Sequence, residues 1–147
     1  MKILIYNIDS GGIKKYSEYL AGAMKKQGFG VIMSDKIGDL NFDIIHVQFE
    51  HALFHPFGLR LIPLLIKLKI HGKKIVITNH TILSRKEIYA RNKFFRFIKK
   101  FLFPLDEILM GLLADKIIVH TDHAKKILIN DYKIKNEKVE VVPIGIY

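Results

Sequence analysis

The sequence has no cysteine. That excludes a disulfide framework, a cysteine zinc site and a thiol nucleophile, and it agrees with a reducing compartment. Long apolar runs are also missing. The densest one, from Leu61 to Ile70, is cut by Lys67 and Lys69, whereas a membrane-spanning helix needs roughly 20 mostly apolar residues. The opening MKILIYNIDSGG turns polar at Asn7 and offers no small-residue cleavage site, so it reads as a strand and not as a leader peptide. The expected location is cytoplasmic. There is no internal repeat, no low-complexity linker and no shift in composition. A length of 147 residues fits one domain with a sizeable core. Acidic residues are the scarce charge: 14 Asp and Glu against 24 Lys and Arg leave a net charge of +10. Such a surplus suits nucleic acid, an anionic membrane surface or a phosphorylated substrate.

What is present is a regular alternation. KILIYN, residues 2–7, is an apolar run closed by Asp9-Ser10-Gly11-Gly12 and reads as a buried strand ending in a glycine turn. Ile13, Tyr16, Leu20 and Met24 recur at helical spacing, and the helix stops at Gly28. Further strands are expected at 31–33, 43–48, 74–78, 116–120 and 139–142. Helices are expected at 59–71, with Pro63 early in it or kinking it, at 84–113 with a break at Pro104, and from a Thr121 or Asp122 cap to about Asn130. Strands apolar throughout and alternating with helices predict a doubly wound, Rossmann-like α/β domain with a parallel sheet covered on both faces.

In such sheets ligands bind at the carboxyl ends of the strands. The residues there are Asn7 to Gly12, then Gln48, Glu50 and His51, then Asn79, His80 and Thr81, then Thr121 to His123. Gly11-Gly12 leads into a helix N-terminus, where backbone N–H groups can face an anion, or it is only a tight turn. Neither GxGxxG nor a Walker loop is present. His80 can act as a general base, bond a hydroxyl or phosphate, or satisfy nearby backbone. Glu50 can orient a hydroxyl or take a proton, or sit with His51 in a solvated loop. His51 and His55 lie four apart, but this is not the HExxH order and no third ligand is evident, so no metal is expected.

Residues 93–103, KFFRFIKKFLF, form the most unusual stretch. On a helix, Phe94, Phe95, Phe97, Ile98, Phe101 and Leu102 fill an arc of roughly 160°, and Lys93, Arg96, Lys99 and Lys100 fill most of the rest. Such a helix either docks its apolar face on the core or lies on an anionic membrane through residues such as Lys93, Phe94, Arg96, Phe97, Lys100 and Phe101. The aromatics lie mostly opposite the basic residues, which suits base stacking poorly, and no nucleic-acid-binding signature is present. No nucleic-acid partner is expected.

Four stretches, taken in order, resemble the N-terminal half of a retaining glycosyltransferase of the GT-B fold, family 4. MKILIYNIDSGGIKKYSEYLAGAMKKQGF resembles the family's first strand, Gly-Gly loop, first helix and entry to the second strand. DIIHVQFEHALF and KKIVITNHTIL resemble two later strand ends, with Phe49 where one variant of the motif has His. ADKIIVHTDHAKKIL followed by VEVVPIGIY resembles the last helix and the start of the interdomain linker at Pro143 and Gly145. The resemblance implies that Gly11 and Gly12 approach the diphosphate of a nucleotide-sugar donor. It implies that His80 lies near the sugar and acceptor, and that Gln48, Glu50, His51, Asn79 and Thr81 help to form the acceptor site, with His80 and Glu50 in catalytic roles. It implies a sugar or lipid-linked acceptor, no metal or other cofactor, and a membrane-facing patch that would make the protein peripheral on the inner face of the membrane. The family's second half, with its donor contacts and E-x(7)-E motif, is not in this sequence. The chain is therefore expected to be an acceptor-binding domain over 1–147, inactive without a donor domain in cis or in trans. The alternatives are a non-catalytic phosphate- or nucleotide-binding module, or a membrane-tethered adaptor.

Overall fold

The computed structural model describes residues 1–8, 11–51, 53–54, 59–87 and 93–144. Six strands form one parallel sheet: β1 Lys2–Tyr6, β2 Gly30–Ser34, β3 Ile44–Phe49, β4 Lys74–Asn79, β5 Lys116–Val119 and β6 Val139–Val141, in the order β2-β1-β3-β4-β5-β6. Four helices connect them: α1 Gly12–Lys26, α2 Ile62–Ile70, α3 Lys93–Leu113 and α4 Asp122–Asn130. A short 3-10 turn precedes α2 and another precedes β6.

The strand order reverses between β1 and β3, so right-handed crossovers place α1 on one face and α2, α3 and α4 on the other. The buried clusters agree with this. Ile3 and Ile5 of β1 pack with Ala21 and Val31, whereas Leu4 packs with Ile45, Val47, Leu65, Ile75, Met110 and Leu128. The single-residue alternation of a strand splits β1 between the two faces in this way. Both α1 and α2 end on a glycine in the left-handed region, Gly28 at φ 86° and Gly72 at φ 68°, where a side chain would be strained.

Two expectations fail over 84–113. Residues 84–87 form a turn, not the start of a long helix. Ser84 N–H donates to the Glu87 carboxylate at 2.9 Å, and the Ser84 hydroxyl donates to Asp131 at 2.8 Å. These side-chain bonds compete with helix formation. Pro104, expected as a break, lies inside a continuous α3. Its lost hydrogen bond costs about 3 kcal/mol. The buried Asp106, Glu107, Met110 and Ala114 anchor the half of α3 beyond it, and Lys138 Nζ caps that end through the carbonyls of Gly111, Leu112 and Ala114. Pro63 lies in the first turn of α2, where proline is tolerated.

Candidate functional site

The carboxyl ends of β1, β3, β4 and β5 converge beside the N-terminus of α1. A cleft of about 470 Å³ opens there, lined among others by Gly12, Lys15, Tyr16, Tyr19, His80 and Ile144. The first turn of α1 carries no acidic residue, and Lys14 and Lys15 lie in it. The dipole of the helix and its two lysines favour an anion there. A Cβ built on Gly12 would meet nothing within 4 Å, so neither packing nor backbone strain demands glycine there. What the glycine provides is open space in front of the helix end. Gly11 is the residue that precedes the helix, and Asp9 and Ser10 lie outside the described residues.

His80 is the first residue after β4. Its backbone N–H donates to the Phe49 carbonyl at 3.0 Å, which fixes its place against β3. Its Nε2 lies 2.9 Å from the Gln48 side chain and its Nδ1 lies 3.3 Å from His120 Nε2. Glu50 and Thr81 meet at the rim, where the Thr81 hydroxyl donates to the Glu50 carboxylate at 2.6 Å. Thr81 is exposed and Glu50 half-buried, so both can meet solvent.

The other three expected acceptor residues lie deeper. Gln48, Asn79 and His51 are 0%, 3% and 7% exposed. Gln48 lies near the end of β3, as expected, and the β1–β3 register sets it on the α1 face of the sheet with Ile44 and His46. His51 and Asn79 belong to a buried network on the opposite face. His51 Nε2 lies 3.0 Å from Glu107 Oε1, and its Nδ1 lies 3.5 Å from Asp106 Oδ2. The Asn79 amide nitrogen donates to both oxygens of Glu107 at 3.1 Å. Of the expected site residues, Glu50, His80 and Thr81 are therefore the ones that reach solvent, and of the buried three Gln48 touches one of them, His80. His55 lies outside the described residues, so the spacing of His51 and His55 has no structural counterpart here. Among the described residues, no group of three ligating side chains could hold a metal ion.

Burial tunes two groups in these networks. It pushes the Asp106 carboxyl up to about 7; His51 pulls it down and Glu107 adds to the rise. Both oxygens of Asp106 lack a hydrogen bond among the described residues, which suits a protonated carboxyl. On the other face, burial lowers His46 to about 4, with the nearby His80 lowering it further. His46 Nε2 meets the buried Thr78 hydroxyl at 2.7 Å, so a neutral imidazole completes this polar ladder.

Sequence reasoning missed Asp106, Glu107, Tyr16 and His120. A pair of adjacent acids in a helix looks solvated until the docked face is known. His120 had a readable signal: it follows β5 as His80 follows β4, and the two strands are neighbours.

Between residues 94 and 102 no described side chain of α3 is buried; Ile98 and Leu102 of the expected apolar face are half-buried, and the side chain of Phe95 lies outside the described residues. Arg96 and Lys99 are half-buried, whereas Phe94, Phe97 and Phe101 are 68%, 74% and 65% exposed. Leu112 continues the stripe at 68%. The expected docking of the stripe on the core thus fails at Phe94, Phe97 and Phe101, and the helix is anchored further on, where Asp106 and Glu107 reach His51 and Asn79. Lys100 is exposed, and the side chain of Lys93 lies outside the described residues. No described helix is long and apolar enough to cross a membrane.

A single parallel sheet of this order, with helices on both faces and its polar residues gathered at the strand ends, defines a Rossmann-like α/β domain. It is consistent with one half of a GT-B architecture. The sequence model of Glycosyltransferase Family 4 matches residues 32–147, and the chain belongs to that family. No curated protein matches the sequence closely enough to count as a relative.

Proposed function

We propose that this chain is the acceptor-binding domain, over 1–147, of a retaining glycosyltransferase. It would move a hexose-type sugar from a nucleotide-sugar donor to a lipid-linked or polysaccharide acceptor. A donor-binding domain, in cis or in trans, completes the enzyme, and the chain alone is inactive. The observation that carries this reading is the meeting of His80 with the anion-favouring start of α1 in one cleft at the strand ends. Gly11 and Gly12 leave room for the donor diphosphate, whose charge is met by backbone N–H groups and lysines without a metal or other cofactor. His80 faces the sugar and acceptor. Glu50, held by Thr81, orients an acceptor hydroxyl or takes its proton.

The exposed stripe of Phe94, Phe97 and Phe101 beside Arg96, Lys93 and Lys100 supports a peripheral seat on the inner face of the cytoplasmic membrane, where a lipid-linked acceptor lies. Nucleic acid has no part in this reading. The test is a transfer assay. The protein with its donor domain is offered a panel of labelled nucleotide sugars and a lipid extract of its own cells. Consumption of one donor with label entering lipid or polysaccharide is the expected result. Tight nucleotide binding without consumption of any donor would instead favour a non-catalytic phosphate-binding module or membrane-tethered adaptor. One observation leans that way: both ring nitrogens of His80 are engaged within the chain.

A further inference from the structure

β4 and β5 end alike, each followed at once by a histidine. Their register pairs Val76 with Lys116, Ile77 with Ile117 and Thr78 with Ile118. Extended by two residues, it sets His80 beside His120. The ring centroids are 5.1 Å apart, and Tyr16 of α1 packs edge-on against both rings at 5.5 and 5.6 Å. The contacts run on in both directions. His120 Nδ1 lies 2.8 Å from the Val142 carbonyl oxygen, and His80 Nε2 lies 2.9 Å from the Gln48 amide, at the atom placed as Oε1.

The Val142 end fixes the protons. A carbonyl oxygen can only accept, so His120 carries its proton on Nδ1. In a neutral ring, His120 Nε2 is then a lone pair, and His80 Nδ1 must donate to it. That leaves the lone pair of His80 on Nε2, with the Gln48 amide turning its nitrogen toward it. This swaps the amide oxygen and nitrogen of Gln48 relative to their placement; as placed, with the Gln48 oxygen facing His80, the arrangement needs a charged imidazole in the pair. It also leaves the Gln48 nitrogen buried without a partner among the described residues. Orphaned buried N–H groups are rarer than under-satisfied carbonyls, and the neutral arrangement holds no charge.

We infer that His120 is a positioning residue: it locks His80 as the Nδ1–H tautomer and so makes Nε2 the basic atom, whose one lone pair takes the Gln48 N–H at rest and a hydroxyl or its proton once that amide turns away. When Nε2 gains a proton, the Gln48 amide turns its oxygen to accept it. The imidazolium then stays hydrogen-bonded through His120 to the Val142 carbonyl. The role of His80 toward a sugar hydroxyl rests on the glycosyltransferase reading above; the tautomer itself does not.

Long-range ¹H–¹⁵N correlation spectra of protein labelled at histidine, taken above the imidazole titrations, read which nitrogen carries the proton. The spectrum of His80→Ala assigns its signals. Both His80 and His120 are expected in the Nδ1–H form. His120→Phe should return His80 to the Nε2–H form that predominates in free histidine. His120→Gln, whose amide can donate to Val142 and accept from His80, should restore Nδ1–H. A native His80 in the Nε2–H form, a doubly protonated His80 at neutral pH, or no change in His120→Phe would overturn the inference. Should His120→Phe fail to fold, the native and His120→Gln spectra still decide. In the transfer assay, His120→Phe should lose activity on the order of 10²-fold, with most of it regained in His120→Gln. Transfer indifferent to His80→Ala would sink the glycosyltransferase reading and leave the tautomer result standing.

Discussion

Two histidine networks sit at the same end of the sheet and are built from opposite materials. His51 is enclosed between Asp106 and Glu107, with Phe49 and Phe103 packed on its ring. The described partners of His80 are an amide, a second imidazole and the Tyr16 ring, and it borders an open cleft. In a buried polar network each group depends on its partners, and removing one member strands the rest, so the His51 network serves to lock α3 onto the strand ends. An amide and an imidazole at the edge of a cleft can each give or take a hydrogen bond, which is what a site that moves a proton needs. The comparison separates a group that holds the architecture from one that can do chemistry.

The largest expected effect comes from breaking the lock. Glu107→Ala should destabilise the fold by about 3–5 kcal/mol, because it strands His51 and Asn79 in the interior. Urea unfolding measures this, and a loss below about 1 kcal/mol would mean that the carboxylate is not the anchor of α3.

Next come two buried groups that titrate against each other. His46 has its folded pKa lowered to about 4 from 6.5, so its contribution to stability is complete above about 6.5 and is lost as pH falls through 4. Asp106 is raised to about 7 from 3.8, so its contribution is complete below about 3.8 and is lost as pH rises through 7. Between pH 7 and 4 each amounts to about 3 kcal/mol, with opposite signs. Asp106→Asn should therefore expose a fall of about 3 kcal/mol on acidification that the native protein largely hides. The same variant should also remove Asp106's own decline of about 1 kcal/mol between pH 6 and 8, which in the native protein is partly offset by His46. Unfolding curves that keep the native pH dependence in Asp106→Asn would assign the titration elsewhere.

The smallest effect on stability is expected at the exposed stripe. Replacing Phe94, Phe97 and Phe101 together by serine should change stability by about 0.5 kcal/mol or less per site, while flotation with anionic vesicles at low salt is lost. Vesicle binding that survives the triple change would remove the stripe from the membrane seat.

Most of the architecture was legible in the sequence. KILIY, KIVITN and KIIV are apolar on both faces because the sheet is covered on both, and Gly28 and Gly72 mark helix ends through their backbone conformation. The Asn79-His80-Thr81 and Gln48-Phe49-Glu50 segments come together as strand ends in one parallel sheet must. What could not be read was where α3 is anchored. Its phenylalanine stripe carries the strongest periodic signal, yet the contact that holds the helix comes from Asp106 and Glu107. The bond from Ser84 to Glu87 is local and was concealed by helical periodicity, whereas its bond to Asp131 spans 47 residues and shows only in the fold. Pro104 was read from local propensity, which the packing of Met110 and Ala114 overrides.

The most direct test of the central claim is the rate of sugar transfer by His80→Ala against the native protein, each with its donor domain and each shown to be folded. A general acid–base or hydroxyl-binding role predicts a loss on the order of 10²- to 10⁴-fold with stability nearly unchanged. Transfer at the native rate would place the chemistry elsewhere and contradict the account.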